Sequence, residues 1–439
     1  MSDGIPDLTR GQRHHVLVAA FLAWTFAGLG IALFILNHRP MMLDLLGPSA
    51  DERVITRWFA WYQAAFLFGA AAGGWLFGWL GDRVGRAKAL GWSVIWQAGF
   101  TLASYPAGTP ELLMVLRFLA CMGIGGVWPN AVALVAEGWP NASRPFLAGL
   151  LGAAANVGQV LMGVLGFYFE VTPSSWRWTL VAAAAPALFG VWILIAVPES
   201  VRWLSTRLLR ARYEEQPEIR TGPVREIFRP PLLGRTLLGI GLGAIPVIGT
   251  AANGNWLVPW SDQAANRRAD EARARGESVE KKAADPLAKA RTQIIRSGGG
   301  IFGSLLGGLI AAVLGRRLSY FLISLLALFA STYIFTQLDP LDPAFPYWTF
   351  ILGFISIVYF GWLPLFLPEL FPTRVRSTGS GVSFNTGRVV AGFVVLSAGF
   401  FLDLLGGEYP RVGFASGLIY AVGMVIIWLG PKRAGGLED

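Results

Sequence analysis

Apolar and polar residues fall along this chain in long blocks, not in the short alternation of strands or the stripes of surface helices. Twelve blocks are long and apolar enough to cross a bilayer, near 15–36, 57–80, 87–106, 111–136, 145–169, 176–197, 235–258, 294–314, 318–337, 346–367, 377–402 and 411–430. A helix needs about twenty such residues to span ~30 Å of hydrocarbon, and lipid offers the backbone no water, so each block predicts a helix. Small residues recur four apart, as in Gly69 with Gly73, Gly74 with Gly78 and Gly303 with Gly307, the spacing that lets membrane helices pack closely. Two stretches between blocks are long and charged, 198–234 and 261–293.

The polar turns orient the chain. Those after segments 2, 8 and 10 carry Arg83, Arg86, Lys88, Arg316, Arg317, Arg374 and Arg376, whereas those after segments 3 and 9 carry no Lys or Arg. The positive-inside bias then predicts that both termini are cytoplasmic, in a plasma membrane or bacterial inner membrane. Residues 198–234 become a cytoplasmic linker between a 1–197 bundle and a 235–439 bundle, and 261–293 an outer loop, partly helical or disordered. The polar start, Met1 to Arg13, shows no cleavable signal, so the first segment is expected to stay as an anchor.

The two bundles resemble each other. Glu137-Gly-Trp-Pro140-Asn-Ala-Ser-Arg144 after segment 4 and Glu369-Leu-Phe-Pro372-Thr-Arg-Val-Arg376 after segment 10 share E-x-[WF]-P-x-x-x-R at an offset of 232 (369−137). Gly85-Arg86 matches Gly315-Arg316 at 230 (315−85). A twofold repeat of six-helix bundles is how many secondary transporters are built, with substrate held near the midplane between halves.

Composition agrees with a membrane protein: 54% of the 439 residues are hydrophobic and 14% charged, against about 25% charged in soluble domains. The eighteen Trp and twenty-nine Phe suit interfacial belts and an aromatic interior. The net charge of +9 sits mostly in loops, which fits membrane sorting and argues against a nucleic-acid partner. Cys121 is the single cysteine, so an internal disulfide is excluded. No nucleophile–base pair, metal cluster or cofactor motif points to an enzyme.

Arg388 is the most informative residue. It lies about eleven residues from either end of its segment, ~16 Å deep, and a guanidinium does not shed its proton there. Such a charge is read as a functional site, here a ligand for an anion whose carboxylate matches the guanidinium fork. Offset by 232, it maps onto Asn156 (388−232), so one half presents an amide where the other presents a cation. Asn385 is one turn from Arg388, and Gln159 shares a face with Asn156. Asn253, Asn255 and Trp256 lie in a Gly-rich stretch able to unwind beside a substrate. Trp24, Tyr62, Tyr359 and Trp362 are candidate aromatic walls.

Gly78-Trp-Leu-Gly-Asp82-Arg83-Val-Gly85-Arg86-Ala-Lys88 resembles the G-x-x-x-D-[RK]-x-G-[RK] loop of the major facilitator superfamily. Arg117-Phe-Leu-Ala-Cys-Met-Gly123-Ile-Gly125-Gly126 is similar to that family's helix 4 pattern. Pro198-Glu199-Ser200-Val-Arg202-Trp203-Leu204 is similar to the P-E-S-P-R-W-L that follows helix 6 in its sugar and organic-acid branches, departing at Val201. The resemblance implies an all-α membrane protein of twelve helices in two pseudo-symmetric six-helix bundles, working by alternating access. It implies gating roles for Asp82, Arg83, Arg86, Arg117, Glu137, Arg144, Glu199, Arg202, Arg316, Arg317, Glu369 and Arg376, as latches that exchange partners when the cytoplasmic side opens. The glycine run after Arg117 lies inside a membrane-length helix and is expected to serve helix packing, not nucleotide binding.

Asp and Glu are absent from the interiors of the twelve segments. Ala27-Gly28-Leu29-Gly30 stands where the organic-acid branch often has Asp-Gly-x-Asp, which removes the usual proton relay, and the chain lacks the P-E-T-K-G ending and paired glutamines of sugar porters. The expectation is a monomeric carrier of a small organic anion without a cofactor, closest to the organic-acid and sialate-like branches, with coupling to protons, exchange or uniport all left open. The alternatives are a carrier of a neutral solute such as a sugar, and a transport-dead membrane sensor.

Overall fold

The computed structural model describes residues 8–139, 144–201, 203–205, 223–275, 285, 287–372, 375–401 and 408–431. These form twelve long helices: α1 Arg10–Leu46, α2 Glu52–Val84, α3 Arg86–Ala103, α4 Pro110–Gly138, α5 Arg144–Tyr168 and α6 Trp178–Ala196 in the first half. The second half has α7 Leu232–Ala274, α8 Ala288–Val313, α9 Arg316–Gln337, α10 Phe345–Glu369, α11 Arg376–Phe401 and α12 Tyr409–Leu429. Among the described residues there is no strand.

Local chemistry sets many of the helix ends. Thr9 and Gln12 form a reciprocal capping box at α1, and Asp51 accepts from the Arg53 amide at the start of α2. Thr109 caps α4, whose first residue is Pro110. Gly85 and Gly315 join α2 to α3 and α8 to α9 with φ of 113° and 77°, values that favour glycine.

Small residues let the helices touch. A methyl group at Gly73 or Gly125 would collide with the Met122 or Ala70 carbonyl, so α2 and α4 meet backbone to backbone. The glycine run of α4 therefore serves packing. Gly303 and Gly307 face α10 in the same way, while Gly74 faces Asn385 across the two halves. The halves meet mainly along α5 against α8 and α2 against α11.

The helices at the far end, opposite the Gly85 and Gly315 turns, run past their apolar segments. α1 continues to Leu46 rather than stopping near 36, α7 to Ala274 rather than 258, and α8 begins at Ala288 rather than 294. Much of the expected outer loop at 261–293 is thus helix, with residues 276–284 and 286 outside the description. The acid-free segments stop short of the helices, and the extension of α7 brings an acid into the bundle. Asp262 is buried in α7, where two neighbouring cations offset its desolvation.

Candidate functional site

A cavity of about 120 Å³ lies between the halves, lined by four helices from each: α1, α2, α4 and α5, then α7, α8, α10 and α11. That is the pattern expected of a twofold repeat with six helices per half. Its walls are largely aromatic and aliphatic. Trp24 stands against Trp128 with ring centroids 5.0 Å apart, and Phe66, Phe360 and Phe384 add further faces.

The polar groups divide unequally between the halves. The first half contributes Asn156 and Gln159 from α5, and the second contributes Asn255, Arg296 and Arg388. Gly300 on α8 leaves room for the Asn156 amide, as Gly74 does for Asn385. Arg388 is twelve residues into α11 (388−376), roughly 18 Å along its axis. It donates through Nη1 to the Asn385 Oδ1 at 3.3 Å and to the Ala70 carbonyl at 3.4 Å, and its guanidinium carbon lies 4.6 Å from the Phe384 ring. Both bonds exceed the ~2.7–2.9 Å of a strong charge-assisted pair. Among the described residues, no Asp or Glu lines the cavity or pairs with Arg388.

Several predicted binding residues lie elsewhere. Tyr62 donates to the Pro110 carbonyl at 2.9 Å inside the first half. Tyr359 shares a hydrogen bond of 2.7 Å with Ser324 and packs on Tyr320, while Trp362 donates to the Arg316 carbonyl and Ser319 Oγ. Trp256 is buried between Phe59 and Tyr409. Asn253 donates to the Gly413 carbonyl at 2.6 Å and Ser331 Oγ at 2.8 Å, which braces the break in α7 against α9 and α12. At that break the helix gives way at Ala252 and resumes after a 3₁₀ turn at Gly254–Trp256, leaving Asn255 on the cavity.

Arg296 did not stand out in the sequence because it sat at the assumed edge of its segment. With α8 starting at Ala288, it is eight residues in (296−288), roughly 12 Å along the helix. The preceding Lys289 and Gln293, at i, i+4 and i+7 with Arg296, were the available signal.

At the end bearing the Gly85 and Gly315 turns, the charged residues pair within their own halves. Asp82 pairs with Arg86, and Glu137 accepts from Ser200. Glu199 accepts from the Arg86 amide at 2.7 Å and the Ala87 amide at 3.2 Å, capping the positive end of α3. It occupies the space a side chain at position 85 would need. Arg316 holds Glu369 through two bonds of 2.7 and 3.1 Å. Ala312 stands where Asp82 would repeat (82+230), so Arg316 has no acid in its own turn and reaches α10 instead. Arg83 lies over the Trp79 ring, and Arg317 donates to the Gly430 carbonyl. Arg117 departs from the expected latch position. It is buried seven residues into α4 (117−110) from the far end, donating to the Gly30 carbonyl at 3.0 Å over the Phe34 ring. Arg202 and Arg374 lie outside the described residues, as do the side chains of Arg144 and Arg376.

The far end is tied across the halves. Arg39 of α1 approaches Asp262 of α7 at 3.7 Å and pairs with Glu52 at 2.6 Å. Lys289 of α8 approaches Asp262 at 3.5 Å and donates to the Val171 carbonyl of the first half at 2.8 Å. Phe59 of α2 packs on Trp256 of α7 beside them.

Two six-helix halves around a cation-bearing cavity, tied at one end by a cross-half ion pair and hydrogen bond, define a polytopic membrane carrier. Comparison with known proteins agrees. The family model described as Major Facilitator Superfamily matches residues 15–259, and the chain belongs to that superfamily. It is a multi-pass membrane transporter of this type. It is 26% identical over 339 residues to a cis,cis-muconate transport protein of Acinetobacter baylyi, covering 76% of each chain. It is 28% identical to a probable 4-methylmuconolactone transporter of Cupriavidus pinatubonensis, covering 75% of this chain and 71% of that one. A 32% match to the inner membrane metabolite transport protein YgcS of Escherichia coli spans 44% of this chain and 39% of the relative. Among solved structures, the inward-open xylose transporter XylE of E. coli superposes over 97% of this chain and 98% of its own with a TM-score of 0.68 at 17% identity, a likeness of fold.

Proposed function

We propose that this chain carries a small organic anion bearing a carboxylate, held in the central cavity and passed across the membrane by alternating access. The observation that carries the reading is Arg388: a permanent cation near the middle of α11, facing the cavity, with two long hydrogen bonds and no acid partner among the described residues. Removing a charge from water costs several kcal/mol unless it is paired. A carboxylate in the cavity supplies both the missing charge and the bidentate acceptor geometry. The relative named for cis,cis-muconate transport adds support, since muconate is an organic acid.

Transport follows from the two ends. With the turn end cytoplasmic, the cross-half ties of Arg39, Asp262 and Lys289 hold the outer end shut while the cytoplasmic charges stay paired within their own halves. Rocking the halves breaks the outer ties and brings the cytoplasmic residues together, exposing the cavity to the other side.

The test is uptake of radiolabelled cis,cis-muconate by the full chain in liposomes. Uptake is expected in the wild type and lost in Arg388→Ala, with helix content by circular dichroism retained. Unimpaired uptake by that variant sinks the reading, and uptake of labelled sugar with no uptake of acid replaces it with a neutral-solute carrier. In its proton-coupled form, the reading requires faster uptake under an inward proton gradient in the same vesicles.

A further inference from the structure

We propose that the cargo carries two negative charges, and that Arg296 holds the second; this rests on the anion reading of the cavity. Arg296 projects from α8 into the same cavity as Arg388 on α11 and is only 6% exposed. Its Nη2 donates to Gln159 Oε1 at 2.9 Å, while its Nε is buried without a partner.

Three donors in the corner around it converge on Gln159. Ser297 Oγ at 3.1 Å and Gln293 Nε2 at 3.3 Å point at the same Gln159 oxygen, so three groups crowd one carbonyl that has two lone pairs. Gln293 Nε2 has a shorter bond to Ser297 Oγ at 2.7 Å, and its own Oε1 is buried without a partner, so the donor left over is the charged Arg296 Nε. To it a carboxylate with about four acceptor sites offers both lone pairs and the opposite charge. The charge count agrees. Two guanidinium groups face the cavity and no acid among the described residues lines it. A monoanion would leave one buried cation without compensation, whereas a dicarboxylate neutralises both.

Gln159 belongs to α5 of the first half, so the bond it makes to Arg296 also spans the two halves. A second carboxylate would take the place of Gln159 at Arg296. Arg296 is thus a specificity-determining residue that favours dianions over monoanions of the same skeleton.

The experiment measures binding of cis,cis-muconate and of its monomethyl ester to the detergent-solubilised full chain, by calorimetry at neutral pH. The wild type is expected to prefer the diacid by about tenfold or more, since one charge-assisted pair is lost with the ester. Arg296→Gln is expected to bring the two ligands to within about threefold while still binding the ester, and Arg296→Lys to keep a preference for the diacid. Equal affinity in the wild type overturns the dianion proposal and leaves the anion reading standing, provided that Arg388→Ala still abolishes ester binding. A preference unchanged in Arg296→Gln removes Arg296 from the role. Should that variant fail to fold, the wild-type comparison and Arg296→Lys decide. Binding of neither ligand refutes the anion reading, and the dianion with it.

Discussion

Asp262→Asn should loosen the far end of the carrier. The carboxylate sits between Arg39 of the first half, at 3.7 Å, and Lys289 of the second, at 3.5 Å, and is nearly buried. At 3.7 Å and an effective dielectric near 20, the Arg39 attraction is roughly 4–5 kcal/mol before desolvation is counted. Arg39 keeps Glu52 as a second partner at 2.6 Å, and the desolvation of Asp262 itself offsets part of the attraction, so the net cross-half loss is smaller, about 1–2 kcal/mol. Two cations would also face each other without the charge that separates them. A shift of that size changes the ratio of closed to open far ends by about five- to thirtyfold. The assay is electron–electron distance measurement between spin labels on the far ends of α1 and α7, in a background where Cys121 is replaced by alanine. The expected result is a new population at longer distance in Asp262→Asn. Lys289→Met in the same background should give a smaller shift, because only the Val171 contact crosses the halves. An unchanged distance distribution in Asp262→Asn would mean that aromatic packing around Phe59 and Trp256, not charge, closes this end.

Other predictions are local. Gly85→Ala should lower the melting temperature, since the backbone lies at φ 113° and Glu199 fills the space of the new methyl; the strain is about 1–3 kcal/mol, and a thermal melt of the purified chain reads it. Asn253→Ala should destabilise by about 1–3 kcal/mol through the lost ties to Gly413 and Ser331, yet leave ligand affinity within a few-fold. Asn255→Ala should do the reverse, weakening binding with little change in melting; the same effect from both variants would show that the break in α7 acts as one unit.

The twelve helices and the twofold repeat were readable from the chain, because membrane length and turn chemistry leave few alternatives. Charged ends such as Glu369 with Arg316 were legible for the same reason, although which partner each acid chooses was not. Ala312 in place of a second Asp82 explains that choice only once α10 is seen beside the turn. Arg388 and Asn156 were found from depth and repeat offset, and both line the cavity. The aromatic candidates were not separable, because apolar side chains suit lipid, core and cavity alike. Trp24 faces the cavity, whereas Tyr62, Tyr359 and Trp362 satisfy their polar atoms against neighbours in their own halves. Asp262 and Arg296 were hidden by one cause. Each apolar run stops short of its helix end: the boundary at 258 placed Asp262 in water, and the one at 294 left Arg296 only two residues inside its segment (296−294), where a cation is ordinary.

That shared cause has a mechanistic consequence. The polar extensions of α1, α7 and α8 carry the far-end ties, and Arg296 is seven residues beyond Lys289 on α8 (296−289), about two helical turns. Movement of α8 that releases Lys289 from Val171 therefore also displaces Arg296 from Gln159, since both contacts join α8 to the first half. On the proposed reading, opening of the far end and exchange of Arg296 between Gln159 and a carboxylate are one motion. Bound dianion replaces the Gln159 contact in advance, which lowers the cost of rocking. Arg388 also reaches the first half, through the Ala70 carbonyl of α2, but at 3.4 Å against 2.9 Å for Arg296 to Gln159, and its other bond stays on its own helix at Asn385. On that reading both cations bind cargo and touch the other half, and Arg296 is the one whose helix also carries the far-end tie at Lys289.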